Sequence, residues 1–115
     1  MKRFRIGNDI AITWDVKTSG KEVNLDDKVV NLYMTHAKGR ETLTGLSVRG
    51  NVLSYTFLGL NQKVLGKYTI TIDVRNADES RSRVLIQDKC SAFELVGRSC
   101  AECEDSEEMN YSIEL

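Results

Sequence analysis

An alternation of apolar and polar side chains with a period of two most strongly limits how this chain can fold. In residues 9–17, four large apolar side chains alternate with polar or small ones: Ile10, Ile12, Trp14 and Val16. Successive side chains of an extended strand point to opposite faces, so this pattern is typical of a β-strand with one buried face. The alternation recurs, more weakly toward the end, at Val30, Leu32 and Met34; Leu53, Tyr55 and Phe57; Tyr68, Ile70, Ile72 and Val74; Val84 and Ile86; and Phe93 and Leu95.

Turn-forming residues separate these segments at short intervals. Glycine, asparagine, aspartate and serine dominate tight turns. They occur here as Gly7-Asn8, Ser19-Gly20, Lys38-Gly39, Gly50-Asn51 and Asn76-Ala77-Asp78. Short strands joined by frequent turns predict an all-β sandwich or barrel of about 7–9 strands.

Two local signals interrupt the strand pattern. Gly45 lies inside an otherwise strand-like segment, which indicates a bulge or a bend. Residues 61–66 begin with the capping residue Asn61 and end with Gly66. We therefore expect a single helical turn there, linking two strands.

The segment Leu65-Gly66-Lys67-Tyr68 leads from that helical turn into the next strand. A Gly-x-Tyr in this place resembles the tyrosine corner of immunoglobulin-like sandwiches, in which a buried tyrosine hydroxyl ties the corner. The paired cysteines of antibody domains are missing, since Ile70 stands two residues after Tyr68. The predicted fold is an immunoglobulin-like antiparallel β-sandwich, on topology alone.

The alternation also predicts which aromatic side chains are buried. Trp14, Tyr55, Phe57 and Tyr68 share the parity of the aliphatic residues in their own strands. Tyr33 lies opposite Val30, Leu32 and Met34, so we predict that Tyr33 is the aromatic side chain that is exposed or meets a partner. The predicted core cluster between two sheets is Trp14, Leu32, Phe57, Tyr68, Ile70 and Ile72.

With 115 residues, the chain is long enough for one domain. Residues 1–100 contain all 16 basic side chains and 11 of the 17 acidic ones, whereas residues 101–115 contain six acidic and no basic side chains. We predict a β-sandwich over 1–100, with its core at about 3–97, and an acidic C-terminal segment over 101–115. That segment is expected to be a solvated connector or to fold back onto residues 1–100, in which basic side chains outnumber acidic ones. A last strand over 111–115 ends on apolar residues, so we expect a further module to follow.

Three cysteines raise the question of a metal site. Cys100-Ala-Glu-Cys103 has a spacing that lets both sulfurs reach one zinc ion, but a fourth ligand is missing, because His36 lies far away in sequence. We predict free thiols, with Cys90 packed near the core and no metal bound.

Catalysis finds little support in the sequence. His36, the single histidine, falls in a predicted turn, where we expect it to be exposed. The acidic pairs Asp26-Asp27 and Asp78-Glu79 also fall in turns, and no glycine-rich phosphate loop or Gly-x-Ser-x-Gly motif occurs. We predict no enzymatic activity, no cofactor and no catalytic residue.

Three segments carry a family resemblance: Arg5-Ile6-Gly7-Asn8-Asp9-Ile10, Gly50-Asn51-Val52 and Leu65-Gly66-Lys67-Tyr68. Over about residues 3–115, the chain resembles the N-terminal domains of phage and prophage tail proteins from gut Bacteroides-type bacteria. Those domains are similar in layout to the N-terminal domain of baseplate upper proteins. The resemblance implies a small β-sandwich that docks a longer fibre-like protein onto a tail or baseplate.

The leading hypothesis is therefore a non-enzymatic assembly module of a phage or prophage tail, which binds tail or baseplate proteins and self-associates. The N-terminus lacks the apolar stretch of a signal peptide, and no apolar run is long enough to span a membrane. We accordingly expect assembly in the bacterial cytoplasm and a final place in the tail particle. The alternative is a bacterial adhesin or carbohydrate-binding sandwich. A nucleic-acid-binding barrel would need clustered basic side chains beside exposed aromatics, and we predict no nucleic-acid or membrane partner.

Overall fold

A computed structural model of the protein describes residues 2–22, 24–26, 28–76, 93–100, 103 and 108–114. These residues form ten strands and one short 3₁₀ turn, Gly59–Asn61. The strands are β1 (Lys2–Arg5), β2 (Ile10–Thr18), β3 (Lys21–Glu22), β4 (Lys28–His36), β5 (Gly39–Leu43), β6 (Ser47–Arg49), β7 (Val52–Phe57), β8 (Gly66–Asn76), β9 (Phe93–Val96) and β10 (Glu108–Glu114).

The strands form two sheets that share one core. The front sheet has the order β1-β9-β8-β4-β5, and the back sheet has the order β10-β2-β7-β6, with β3 paired to the end of β2. The inner pairs are antiparallel, whereas the outer pairs β1 with β9 and β10 with β2 are parallel. The predicted all-β sandwich is confirmed. The predicted strand at Val84 and Ile86 lies outside the described residues.

The predicted core cluster is confirmed. Its six members, each no more than 3% exposed, are Trp14, Leu32, Phe57, Tyr68, Ile70 and Ile72. Trp14 and Phe57 belong to the back sheet and the other four to the front sheet, so the cluster joins both sheets. The parity argument also holds for Tyr55, which is 9% exposed.

The connection between β7 and β8 differs from the predicted helical turn in its position. The turn occupies Gly59–Asn61, so Asn61 ends it rather than capping its start. Its backbone bonds run from the Asn61 N–H to the Leu58 carbonyl at 3.0 Å and from the Gln62 N–H to the Gly59 carbonyl at 3.2 Å. After it, the Tyr68 hydroxyl donates to the Val64 backbone carbonyl, which is the bond that defines a tyrosine corner.

Gly45 marks the place where the chain leaves one sheet for the other. It lies between β5 of the front sheet and β6 of the back sheet. Its φ of +85° is in the left-handed region that favours glycine. The bend predicted at Gly45 is therefore a crossover between sheets.

The last described residues of the predicted acidic connector belong to the sandwich. β10 runs parallel to β2, with Met109 opposite Ile12 and Ile113 opposite Val16. Met109 is 1% exposed and Ile113 is 7% exposed, so both lie in the core. The strand predicted over 111–115 begins earlier, at Glu108. The core accordingly includes residues beyond 97.

Replacing Trp14 with alanine should lower the free energy of unfolding by about 3–5 kcal/mol, because it removes buried surface and leaves a cavity. Denaturant titration followed by circular dichroism measures the change. Asp15→Ala, an exposed neighbour in the same strand, should stay within about 0.5 kcal/mol of the parent. A Trp14→Ala protein as stable as the Asp15→Ala control would contradict the described core.

The position of β10 can be tested with a second pair of variants. Met109→Ala should cost about 2 kcal/mol or more, since the methionine side chain fills part of the core. Ser112→Ala, an exposed change in the same strand, should cost less than about 0.5 kcal/mol. Equal stability of the two variants in urea would mean that β10 does not cover the core.

Candidate functional site

Tyr33 lies on the outer face of the front sheet, as the parity of β4 predicted. It is half-buried, and it stands between Thr42 of β5 and Thr71 of β8 in the strand register. The guanidinium carbon of Arg40 is 4.0 Å from the centroid of the Tyr33 ring. This cation–π contact places a charged and an aromatic group side by side on an otherwise threonine-rich surface.

A buried ion pair lies further along the same face. Asp73 Oδ2 accepts hydrogen bonds from Arg75, at 2.8 Å from Nε and 2.7 Å from Nη2. The Asp73 side chain is only 2% exposed, and its hydrogen bond raises the pKa of Arg75 above the ordinary value. Within the described part of the chain, Asp73 neutralises Arg75, whereas Arg40 contacts no carboxylate. We name Tyr33, Arg40, Thr42 and Thr71 the Tyr33 patch.

His36 is not the exposed turn residue that the sequence indicated. It ends β4, and its side chain is 8% exposed. His36 continues the inward-facing series of Leu32 and Met34 in β4. Its ring therefore packs against the Tyr68 ring, with the two centroids 5.3 Å apart. Its Nε2 lies 3.6 Å from Glu41 Oε2, and its Nδ1 accepts a hydrogen bond from the Lys38 N–H at 3.2 Å. The histidine covers one end of the aromatic core.

The cysteine segment shows no assembled metal site within the described residues. Cys100 and Cys103 are half-buried free thiols, and Cys103 Sγ lies 3.7 Å from the Cys100 carbonyl oxygen. Burial raises the pKa of the Cys103 thiol, and its contact with Cys100 raises it further. No described cluster of three histidine, cysteine or acidic residues could hold a metal ion. Cys90 lies outside the described residues, so the absence of metal stays a prediction.

Asp26 has a structural contact in its turn. Its Oδ1 accepts a hydrogen bond from the Gly50 N–H at 3.2 Å, and this bond joins the loop before β4 to the turn between β6 and β7. The other acidic residues of the two pairs lie outside the described residues: Asp27, Asp78 and Glu79.

Sequence reasoning missed a buried polar centre at Gln62, which is 5% exposed. Its Oε1 accepts from the Gly7 N–H at 2.8 Å, and its Nε2 donates to the Asn8 carbonyl at 2.7 Å and the Phe57 carbonyl at 3.1 Å. Both the oxygen and the nitrogen of the side-chain amide are thus hydrogen-bonded to backbone groups. It holds the Gly7-Asn8 loop against the end of β7, and no local pattern in the sequence signals a partner 55 residues away.

No protein-family model and no curated protein matches the chain. Among solved structures, its fold is similar to part of a Bacteroides vulgatus ATCC 8482 protein named provisionally as a glycoside hydrolase, with a TM-score of 0.50 and 12% sequence identity. The match covers 84% of this chain and 16% of that chain. At this identity the similarity shows a shared fold alone. The described residues contain no helix long and apolar enough to cross a membrane.

The packing of the Gly7-Asn8 loop predicts opposite effects for two glycines. A Cβ on Gly59 would lie 2.1 Å from the Gly7 backbone oxygen, whereas a Cβ on Gly97 would meet nothing within 4 Å. Neither glycine has a positive φ. Gly59→Ala should therefore lower the free energy of unfolding by about 1–3 kcal/mol through overpacking, measured by urea titration. Gly97→Ala should be neutral or slightly stabilising, and a neutral Gly59→Ala variant would contradict the described loop.

Proposed function

We propose that the chain is a non-enzymatic assembly module of a phage or prophage tail, which docks a longer fibre-like protein onto the tail or baseplate through protein contacts. The observation that carries this proposal is the Tyr33 patch. Tyrosine and arginine are enriched among the residues that dominate binding energy in protein interfaces. A half-buried tyrosine beside an arginine that has no carboxylate partner among the described residues suits such a contact.

The segments that carry the family resemblance make contacts that hold the sandwich together. The Gly7-Asn8-Asp9 loop is held by Gln62 and by the Gly59 N–H, which donates to Asp9 Oδ1 at 2.8 Å. At the Gly50-Asn51 turn, the Leu25 N–H donates to the Gly50 carbonyl at 2.8 Å and the Val16 N–H to the Asn51 carbonyl at 3.0 Å. These residues maintain the sandwich, so the resemblance concerns a scaffold.

A carbohydrate-binding sandwich is the second candidate. The observation that favours it is the fold similarity to part of a protein named provisionally as a glycoside hydrolase. In this case the Tyr33 ring would stack on a sugar ring, and Arg40 and the threonines would donate hydrogen bonds to its hydroxyl groups.

Particle labelling distinguishes the two functions. Antibodies raised against the chain should label the tails of particles induced from the producing bacterium, as seen by electron microscopy, and mass spectrometry should find the chain in purified particles. Labelling of the cell envelope instead of particles, together with binding on a glycan array, would replace the tail proposal with the carbohydrate-binding function.

A matched pair of variants assigns the role of the Tyr33 patch. Tyr33→Ala in the producing bacterium should lower the amount of protein in particles by about tenfold, which corresponds to the loss of one interface anchor. Asp15→Ala, exposed on the back sheet, should leave it unchanged. Circular dichroism of both purified variants controls for folding. Normal incorporation of Tyr33→Ala would remove the patch from the docking surface.

A further inference from the structure

An open groove lies where the chain crosses from the front sheet to the back sheet. A first part of about 360 Å³ is lined by residues 41–44, by Tyr55 and Phe57 of the back sheet, and by Asn61 and Lys63. An adjoining part of about 390 Å³ shares Thr44, Tyr55 and Asn61 and extends to Leu58. The two parts form one elongated depression, which we name the crossover groove.

Within the described part of the chain, two open strand edges border the crossover groove. β5 is the outermost of the described strands of the front sheet. In the back sheet, β6 pairs only with Val52, Leu53 and Ser54 of β7, so residues 55–57 have no described strand on that side. Consecutive residues of both strands line the groove, as expected where a strand presents its backbone edge rather than one face. Open edges offer unpaired N–H and C=O groups to an added strand.

Glu41 gives the groove a negative wall. It lies opposite Met34 in the register of β4 and β5, so its side chain leaves the sheet on the inward side. The side chain is 59% exposed. Burial first, and the charge of Glu41 second, raise the pKa of Tyr55, which agrees with a carboxylate close to that ring. A carboxylate beside an aromatic ring can receive a cationic side chain through both an ion pair and a cation–π contact.

A second copy of the chain fits this edge poorly. Two β5 strands paired antiparallel over all five residues from Gly39 to Leu43 would place Glu41 directly opposite Glu41 of the other copy. Like charges opposite each other destabilise a strand pair. A partner with a basic side chain at that position complements the charge instead. Lys63 also lines this part of the groove, where an acidic side chain of the partner would complement its charge.

We propose that the crossover groove binds an extended segment of a partner protein, which adds as a strand along β5 and places a lysine or arginine side chain against Glu41 and Tyr55. Leu58, which is 39% exposed, lines the second part of the groove and offers an apolar contact to the rest of the segment. Leu60, which is 72% exposed, follows two residues later in the chain. This surface shares only Thr42 with the Tyr33 patch, and the inference holds whether the domain belongs to a tail or to another assembly.

A peptide selection tests the proposal with the complete chain. Displayed random linear peptides of about twelve residues, long enough to form one added strand, are selected against the immobilised protein. The enriched peptides are then synthesised with a fluorescent label. They should contain a lysine or arginine whose replacement by alanine weakens binding by about tenfold in fluorescence polarisation. Amide chemical-shift changes in the protein should map to β5 and to residues 54–58.

Two variants and two matched controls complete the test. Glu41→Lys reverses the charge and Thr44→Trp fills the groove, and each should weaken binding by about tenfold or more. Glu22→Lys on β3 and Thr35→Trp on the opposite face of the front sheet should stay within about twofold. Thr44 is exposed, so Thr44→Trp keeps the test valid if Glu41→Lys fails to fold.

The proposal is overturned if no selected peptide binds more tightly than about 1 mM. It is also overturned if Glu41→Lys and Thr44→Trp bind as the parent does, or if the chemical shifts map to Tyr33 and Thr71 and spare residues 54–58. Particle labelling does not enter this readout, so failure of the groove and failure of the proposed tail function remain distinguishable.

Discussion

Burial of aromatic side chains between the two sheets is the interaction on which the rest of this structure depends. Tyr68 and Phe93 of the front sheet stack with ring centroids 5.1 Å apart, and Phe57 of the back sheet lies 5.7 Å from Tyr68. Burial of each such side chain contributes about 1.5–3 kcal/mol. In the place of an antibody cysteine, the chain has the buried Ile70. Apolar packing and the tyrosine corner thus join the sheets in the described residues.

This packing uses the inner face of every long strand, which leaves outer faces and strand edges for contacts with other molecules. The Tyr33 patch occupies an outer face, and the crossover groove occupies an edge. The Gln62 side chain accepts a hydrogen bond from one backbone N–H and donates to backbone carbonyls, and Asp26 accepts a hydrogen bond from a backbone N–H. Both side chains maintain loops. The buried Gln62 is therefore structural, and the two proposed contact surfaces lie on an outer face and at a strand edge.

The two sides of the back sheet differ in how completely an outer strand covers them. β10 covers one side of β2 over Ala11 to Lys17, which closes the core beside Trp14, and the Tyr111 ring stacks on Trp14 at 6.3 Å. On the other side, the short strand β6 leaves part of β7 uncovered. The crossover groove exists because the chain is still crossing from the front sheet at Gly45. β6 therefore begins only at Ser47 and pairs with only part of β7.

The sequence by itself determined the strands β2, β4, β7, β8 and β9, the inward aromatic side chains and the outward position of Tyr33, because a period of two is a property of neighbouring residues in an extended chain. It did not predict the short strands β1, β3, β5 and β6. It also indicated the tyrosine corner, since that motif lies within a few residues. The parallel pairing of β10 with β2, the burial of His36 and the partners of Gln62 depended on residues far away along the chain. Only the tertiary structure decided them, and it likewise decided which strand edges remain open, because an edge is defined by the strands that do not pair with it.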